Sequence, residues 1–229
     1  MHNLYHNQKI CFILLPGFSP DNVSVLPLKN AFEQRGYIAI ASTFFGDRSF
    51  KYFSQLTMEQ CQHHVSQLIQ EAKQQYDRVI GIGVSLGGAL FLEYAKTSND
   101  LDGIVSIGIP FRLKYRPLMS LGKMFLSLIY PLWKIFEKRK QWRLLPIGAA
   151  PQIIDYLETD FLKNLEQITV PTLFIHSKQD SVTDYRVLPE YFEKIGSVAK
   201  HSIITENGNH VIDHDPDALV NHTLSFYKL

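Results

Sequence analysis

Residues 81–88 read G-I-G-V-S-L-G-G and are the most informative part of this chain. They contain the pattern G-x-S-x-G at Gly83, Ser85 and Gly87, directly after an apolar run and directly before Ala89–Lys96, which is compatible with a helix. A strand, a sharp turn and a helix in this order form a nucleophile elbow, in which glycines on both sides of the serine leave room for a strained turn. The pattern predicts that the Ser85 hydroxyl stands clear of a sheet as a candidate nucleophile.

The pentapeptide alone is also compatible with an ordinary strand-to-helix turn around a buried serine, so its partners must decide. A serine hydroxyl is a poor nucleophile unless a base lies within hydrogen-bond reach and a carboxylate fixes the tautomer of that base. When the serine sits on such an elbow, an Asp or Glu and then a His follow it along the chain, each on a loop after a core strand.

Asp180 occupies the place of the acid. It follows Val170–His176, V-P-T-L-F-I-H, a short apolar run that predicts a buried parallel strand, and the loop S-K-Q-D begins at the carboxyl end of that run. Asp184 is a rival close by, and either aspartate can instead cap the next helix. We predict that Asp180 is the acid.

His210 occupies the place of the base. It lies in the loop E-N-G-N-H, after the strand-like segment Lys200–Ile204 and before a last helix from about Pro216. The interval between Asp180 and His210 has room for one helix and one strand, as the order of elements requires. We expect the other histidines to cap, to face solvent or to be satisfied in the core; those considered as rivals are His63, His64, His176, His201 and His214.

Acyl transfer also needs hydrogen-bond donors that point at the developing oxyanion. One predicted donor is the backbone N–H of Leu86, the residue after the candidate nucleophile. The second should come from the loop after the first central strand, Lys9–Leu15, and that loop reads P-G-F-S-P, which makes the Phe18 amide the candidate. An ordinary turn is the other interpretation of Pro16-Gly17.

These motifs resemble those of the alpha/beta-hydrolase superfamily, and within it the small bacterial carboxylesterases and monoacylglycerol lipases. The matching pieces are L-L-P-G-F-S, G-V-S-L-G-G, H-S-K-Q-D and G-N-H-V-I, which cover nearly the whole length from Lys9 onward. The chain has Pro16-Gly17 where the family usually has His-Gly. The resemblance implies a nucleophile, an acid, a base and two oxyanion donors, which are Ser85, Asp180, His210, Phe18 and Leu86.

The alternation of strand-like and helix-like segments predicts an α/β fold with a mainly parallel sheet of about six strands flanked by helices. Thr57 with Gln60 three residues later predicts a capping box that opens a helix reaching about Gln75. The alternation stops after residue 109 and resumes near 158. We therefore predict a hydrolase core formed by residues 1–109 and 158–229, with a helical cap insertion at residues 110–157.

The predicted insertion is basic and rich in apolar residues. Phe111–Ala150 contains nine Lys or Arg and one acidic residue, a net charge of +8, which leaves −7 on the rest of a chain whose total is +1. The resemblance implies a cap over the active site, with an apolar face that lines an acyl pocket. Its basic face can instead contact an anionic membrane surface, or the helices can simply pack on the core. Gly122, Lys123, Pro131 and Lys134 interrupt the run, which is not typical of a membrane-spanning helix.

Composition agrees with one compact enzyme domain of 229 residues, because 45% of them are hydrophobic and 20% charged. The balanced charge gives no general attraction to nucleic acid, so we expect no nucleic-acid partner. Cys11 and Cys61 are the two cysteines, which supports neither a disulfide scaffold nor a metal site, and we expect both to be buried and no cofactor to be needed. No basic segment followed by a long apolar core opens the chain, from which we expect a cytoplasmic protein.

The sequence thus predicts a serine hydrolase that cleaves carboxylic esters, of acyl or monoacylglycerol-like substrates, through a Ser-His-Asp triad and an acyl-enzyme. The same residues serve thioesterases, amidases, peptidases and acyltransferases, and a hydrolase scaffold can be kept for binding alone.

Overall fold

A six-stranded parallel sheet forms the centre of the molecule. The computed structural model describes residues 8–19, 21–43, 56–114, 149–210 and 215–229. The strands run in the order β2-β1-β3-β4-β5-β6, and every neighbouring pair is parallel. They are β1 Ile10–Leu15, β2 Ile38–Ala41, β3 Arg78–Val84, β4 Gly103–Ile107, β5 Thr172–Ser177 and β6 Lys200–Thr205. The predicted α/β class and the predicted number of strands are confirmed.

Helices connect the strands, as a parallel sheet requires. Those in the described ranges are α1 Leu26–Glu33, α2 Met58–Lys73, α3 Leu86–Ala95, α4 Ala150–Glu158, α5 Leu188–Lys194 and α6 Pro216–Tyr227. The predicted capping box opens α2: the Thr57 hydroxyl accepts from the Gln60 amide, and the Gln60 side chain accepts from the Thr57 amide. Helix α3 begins at Leu86, three residues earlier than the helix-compatible stretch in the sequence indicated.

The alternation of side chains along the strands divides the core between the two faces of the sheet. In β1 the odd-numbered residues Cys11, Ile13 and Leu15 pack with α2, α3 and α4. The even-numbered residues Ile10, Phe12 and Leu14 pack with α1 and α6 on the other face. Because β1 is buried on both faces, its sequence is continuously apolar, and it was the short length of this apolar run that indicated a strand.

The predicted cap insertion at residues 110–157 lies mostly outside the described ranges. Its described ends pack on the α2 and α3 side of the sheet. Phe111 stacks on Phe161 and Tyr191, with ring centroids 5.8 and 4.7 Å apart, and Ile153 and Leu157 of α4 belong to the same core cluster. No helix within the described ranges is long and apolar enough to span a membrane.

Strand order reverses beside β1, because the chain passes from β1 to β2 on one side and then to β3 on the other side. Open parallel sheets bind ligands at such a switch point, beyond the carboxyl ends of the strands. The loops after β1 and β3 leave at this place. They carry Phe18 and Ser85, so the fold brings two of the predicted site residues to one edge.

Both cysteines are buried, as predicted: Cys11 in β1 and Cys61 in α2. Burial raises the pKa of each thiol to about 12. A thiol with so high a pKa forms little thiolate and is a weak nucleophile.

Candidate active site

Ser85 occupies the sharp turn between β3 and α3. Its backbone has φ 50° and ψ −114°, a left-handed conformation that residues other than glycine seldom adopt. Two backbone hydrogen bonds hold it there: its N–H donates to the Ile107 carbonyl at 2.7 Å, and its carbonyl accepts from the Ala89 N–H at 3.1 Å. Strained residues of this kind concentrate at functional sites, where the surrounding structure fixes them.

The two glycines of the pentapeptide lie where other chain segments pass too closely for a side chain. A β-carbon at position 83 would lie 2.1 Å from the Gly88 nitrogen, and one at position 87 would lie 2.6 Å from the carbonyl oxygens of Leu15 and Pro16. The glycine pattern is therefore a packing requirement of the turn. The contact at Gly87 also seats the loop after β1 directly on the elbow.

Asp180 lies in the loop after β5, with 1% of its surface exposed. Its Oδ1 accepts hydrogen bonds from the N–H groups of Val182 and Thr183 at 2.8 and 2.7 Å. Its Oδ2 accepts from the Thr183 hydroxyl at 2.7 Å. Asp184, the rival acid, points elsewhere: its side chain caps the short turn that follows and forms an ion pair with Arg186 at 2.8 Å.

His210 lies beside Asp180. Its Nδ1 is 2.7 Å from Asp180 Oδ2, and 14% of the imidazole is exposed. Burial on its own raises the pKa of Asp180, but hydrogen bonds from His210 and Thr183 outweigh burial and lower that pKa overall. The carboxylate is therefore ionised near neutral pH and accepts a hydrogen bond from His210 Nδ1–H, which leaves His210 Nε2 as the available basic atom.

The loops of Asp180 and His210 are joined along their length. The Asn209 side-chain oxygen accepts hydrogen bonds from the Ser181 hydroxyl at 2.8 Å and from the His210 N–H at 2.8 Å. Deeper in the molecule, the Ser177 hydroxyl donates to the Gly208 carbonyl. These contacts couple the position of His210 to the loop that carries the carboxylate.

A cavity of about 590 Å³ is lined by predicted site residues from three loops. Ser85 and His210 line it together, and so do Phe18 and Leu86, the predicted oxyanion donors. Leu86 is the first residue of α3, so its N–H has no acceptor within the helix. Among the described residues no hydrogen bond joins the Ser85 side chain to His210; catalytic hydrogen bonds of this kind often close only when substrate binds.

The rest of the cavity wall is mainly apolar. It includes residues from α4 and from the segment just after β4, namely Pro110, Leu113, Ala150, Ile153, Ile154 and Leu157. Val182 also lines it, from the acid loop, which is the loop after β5 that carries Asp180. An apolar chamber with a few convergent polar groups at one end is typical of small-molecule sites. The described ends of the predicted insertion therefore form part of this wall.

A short antiparallel ladder links the start of the predicted insertion to the acid loop. Leu113 pairs with Thr183, the Lys114 N–H donates to the Val182 carbonyl, and the Asp184 N–H donates to the Arg112 carbonyl, both at 2.9 Å. The Lys114 ammonium also donates to the backbone carbonyl of Asp180. This pairing could not be predicted from the sequence, because an isolated bridge has no periodicity.

His176 lies beside the Asp180 loop, a contact that sequence reasoning did not predict. It is 1% exposed at the end of β5, and its Nε2 lies 3.0 Å from the Thr183 hydroxyl. We had expected it to cap, to face solvent or to be satisfied in the core, and it is satisfied in the core next to Asp180. Its place four residues before Asp180, at the end of the same strand, was the available signal.

Within the described ranges no three His, Cys, Asp or Glu side chains form a group that could hold a metal ion.

The architecture is the alpha/beta hydrolase fold. The model of the alpha/beta hydrolase family matches residues 12–222, and the chain belongs to that family. The suspected superfamily and fold are thereby confirmed.

Its relatives are lipases and esterases. A thermostable monoacylglycerol lipase from Bacillus sp. (strain H-257) is 23% identical over 232 residues, which cover 96% of this chain and 91% of the relative. The solved structure reported for the metagenome-derived lipolytic enzymes LipS and LipT has a TM-score of 0.76 at 19% identity, covering 96% of this chain and 94% of that one. A soluble variant of monoglyceride lipase from Saccharomyces cerevisiae has a TM-score of 0.69 at 14% identity, covering 96% and 87%. At these identities the structural likeness establishes the fold alone.

Proposed function

We propose that the protein is a serine hydrolase that cleaves carboxylic esters, with Ser85 as nucleophile, His210 as base and Asp180 as the acid that orients it. One observation carries the proposal: His210 is hydrogen-bonded to buried Asp180 at 2.7 Å and lines the same cavity as the strained Ser85. Nucleophile, base and orienting carboxylate are the three roles that acyl transfer through a serine requires.

The reaction begins when Ser85 Oγ attacks the ester carbonyl carbon while His210 Nε2 accepts the hydroxyl proton. The C–O bond to the alcohol then breaks, and His210 returns the proton to the leaving alkoxide. Water next attacks the acyl-enzyme, again giving its proton to His210, and the acid product leaves with Ser85 reprotonated. Asp180 stabilises the imidazolium in both halves of the cycle because it remains ionised.

The tetrahedral intermediates place negative charge on the former carbonyl oxygen. The backbone N–H groups of Leu86 and Phe18 are the proposed donors to that oxygen. Both residues line the cavity, and the contact between Gly87 and the Leu15 and Pro16 carbonyls brings their two segments together. Donors fixed before the reaction stabilise such charge without reorganisation, and one is worth about 10²–10³ in kcat.

The apolar wall fits an acyl chain better than a charged or strongly polar group. Leu113, Ile153 and Leu157 offer hydrocarbon to it, and each buried methylene of a substrate would gain about 0.8 kcal/mol. The relatives named as monoacylglycerol lipases point to the same class. Esters with an acyl chain are therefore the proposed substrates.

The test is hydrolysis of p-nitrophenyl esters from acetyl to palmitoyl by the wild type, by Ser85→Ala and by Ser66→Ala, a serine of α2 that does not line this cavity. We expect Ser66→Ala to behave as the wild type and Ser85→Ala to lose at least about 10³-fold in kcat. Retention of full activity by Ser85→Ala on every ester would refute the proposal. Transfer of the acyl group to an added alcohol in preference to water would instead identify an acyltransferase with the same residues.

A further inference from the structure

The carboxylate of Asp180 is held on two sides. Its Oδ1 is fixed by two N–H groups of its own loop, whereas its Oδ2 is shared between His210 Nδ1 and the Thr183 hydroxyl, each at 2.7 Å. The orientation of Oδ2 toward His210 therefore depends on whether the Thr183 hydroxyl donates its hydrogen bond to Oδ2. Thr183 is completely buried, so water does not compete for that proton.

A hydroxyl has a single proton, and Thr183 Oγ1 has two neighbours that can accept it. One is Asp180 Oδ2 and the other is His176 Nε2, at 3.0 Å. If the proton pointed at His176, two oxygens would face each other at 2.7 Å with no proton between them, and one of them would be charged. A hydrogen bond to a charged acceptor is roughly twice as strong as a neutral one, so the proton belongs on the side of Asp180.

The position of the His176 ring proton follows from the single proton of the Thr183 hydroxyl. Thr183 Oγ1 donates to Asp180, so it must accept from His176, and an imidazole nitrogen donates only when it carries a proton. The Nε2–H form meets this demand. It leaves Nδ1 without a proton, 3.2 Å from the Ser177 carbonyl oxygen and 3.8 Å from Asp180 Oδ2; both distances exceed the 2.7 Å between Thr183 Oγ1 and Asp180 Oδ2, so this arrangement costs less than leaving that shorter contact without a proton.

We propose that His176 and Thr183 are positioning residues for the catalytic base: His176 Nε2–H donates to Thr183, which directs the Thr183 hydroxyl onto Asp180 Oδ2 and so holds Oδ2 in line with His210 Nδ1–H. The inference rests on the proposed function, since His210 must be the base. Burial lowers the pKa of His176, more than the nearby charge of Asp180 raises it, so the neutral form that this chain of hydrogen bonds needs is the stable one.

Neither His176 nor Thr183 lines the cavity, so their effect should fall on turnover and not on substrate binding. Thr183→Val removes the hydroxyl with little change of shape, and His176→Phe removes both ring nitrogens. We expect each to lower kcat about tenfold or more while KM stays within about twofold. Thr183→Ser and His176→Gln, which keep a hydroxyl and an N–H donor, should retain most of the activity.

The two residues should also act as a unit. Because His176 works only through the Thr183 hydroxyl, the double variant Thr183→Val/His176→Phe should be no slower than Thr183→Val alone. A merely structural role would give additive losses and no rescue by serine or glutamine. Losses that add, or a Thr183→Val enzyme with kcat within twofold of the wild type, would overturn the proposal.

A second readout separates this proposal from the failure of the proposed function. The low-field proton NMR resonance of the His210 Nδ1–H, bonded to Asp180, needs no substrate. We expect it to be present in the wild type and in Thr183→Ser, and to weaken or move upfield in Thr183→Val. A resonance unchanged in Thr183→Val overturns the inference, whereas a wild type with this resonance and no esterase activity overturns only the proposed function. Thermal unfolding of each variant shows that the comparison is made between folded proteins.

Discussion

The backbone of Gly108 lies directly against His210 and Asp180, the proposed catalytic pair. It follows β4 with φ 61°, and a β-carbon there would lie 3.2 Å from His210 Nδ1 and 3.3 Å from Asp180 Oδ2. Any side chain would therefore press on the hydrogen bond between the two. Its N–H also donates to the Ile175 carbonyl, so the backbone has little freedom to retreat.

Gly108→Ala should damage activity more than stability. The left-handed backbone costs alanine about 1–2 kcal/mol, and displacement of His210 should lower kcat by about 10–100-fold. Gly36→Ala is the matched control, because Gly36 has φ 82° but nothing within 4 Å of its would-be β-carbon. Both variants should unfold earlier in urea than the wild type, and only Gly108→Ala should lose activity. Equal activity in the two variants would show that a side chain at position 108 does not disturb His210 and Asp180.

Protonation of His176 gives a pH-dependent stability. Burial lowers its pKa from the ordinary value of 6.5, Asp180 and the Ser177 carbonyl act in the opposite direction, and His210 and Lys114 lower it further. Because the unfolded chain then binds the proton more readily, His176 favours the folded state above pH 6.5, and this contribution is lost as pH falls through the folded pKa.

We therefore expect the unfolding free energy of the wild type to fall more steeply below pH 6.5 than that of His176→Gln, by at most about 1.4 kcal/mol per pH unit. Urea unfolding between pH 8 and 5 measures this, with His201→Gln, an exposed histidine of β6, as the control for losing an imidazole. Parallel curves for the wild type and His176→Gln would contradict the pKa direction.

Candidate residue roles could be proposed from the sequence only where the chemistry comes with a fixed order, and they stay predictions. Ser85, Asp180 and His210 each follow a strand, and the order along the chain placed all three at one edge of the sheet. His176 is one of nine histidines, and nothing local distinguishes a core histidine from one that contacts the acid. The direction of its hydrogen bond to Thr183 depends on three-dimensional distances, which spacing does not give.

The short ladder between residues 112–114 and 182–184 is one contact, within the described residues, that ties the predicted insertion to the loop of Asp180. Lys114 completes it by donating to the Asp180 carbonyl. Because Leu113 and Val182 line the cavity from the two sides of this ladder, a shift of one segment moves both the wall and the acid.

Lys114→Ala tests the coupling. Loss of its hydrogen bond should lower the unfolding free energy by about 1 kcal/mol and should lower kcat severalfold, because the Asp180 loop loses one of its anchors. Lys178→Ala is the matched control: Lys178 is in the same loop but pairs with exposed Glu206, and such surface pairs contribute little. An activity loss that is equal in the two variants would show that Lys114 has no particular role.

The elements themselves were largely predictable. Strands buried on both faces give continuous apolar runs, and helix α2 carries a capping box and a 3.6-residue period, so their existence followed from the sequence. The helix after the elbow was placed too late because Gly87 and Gly88 are poor helix formers, and the tight packing of the turn overrides that propensity. The ladder was missed because it joins residues about 70 positions apart through a single bridge.

Positive and negative charges are unevenly distributed along the whole chain. The +8 of Phe111–Ala150 against −7 elsewhere is a property of the sequence, and most of that segment lies outside the described residues. We propose that the segment contacts anionic lipid surfaces, which attract clustered Lys and Arg by about 1 kcal/mol for each such residue near the surface.

Sedimentation with vesicles of phosphatidylcholine, with and without phosphatidylserine, tests the proposal. We expect binding to the anionic vesicles at low salt and release as salt is raised, because screening shortens the range of the attraction. Replacing Lys138, Arg139 and Lys140 with glutamine should weaken binding without changing hydrolysis of a short, water-soluble ester. An absence of binding at low salt would refute the proposed contact with anionic lipid.

A fluorophosphonate probe shows whether Ser85 is a nucleophile that His210 activates. The activated hydroxyl forms a P–O bond and displaces fluoride, so the adduct can be located by mass spectrometry of the digested protein. We expect one adduct per chain on the peptide that contains Ser85, none in Ser85→Ala, and labelling slowed at least about 100-fold in His210→Ala. Labelling of another residue, or equal labelling of all three proteins, would contradict the claim.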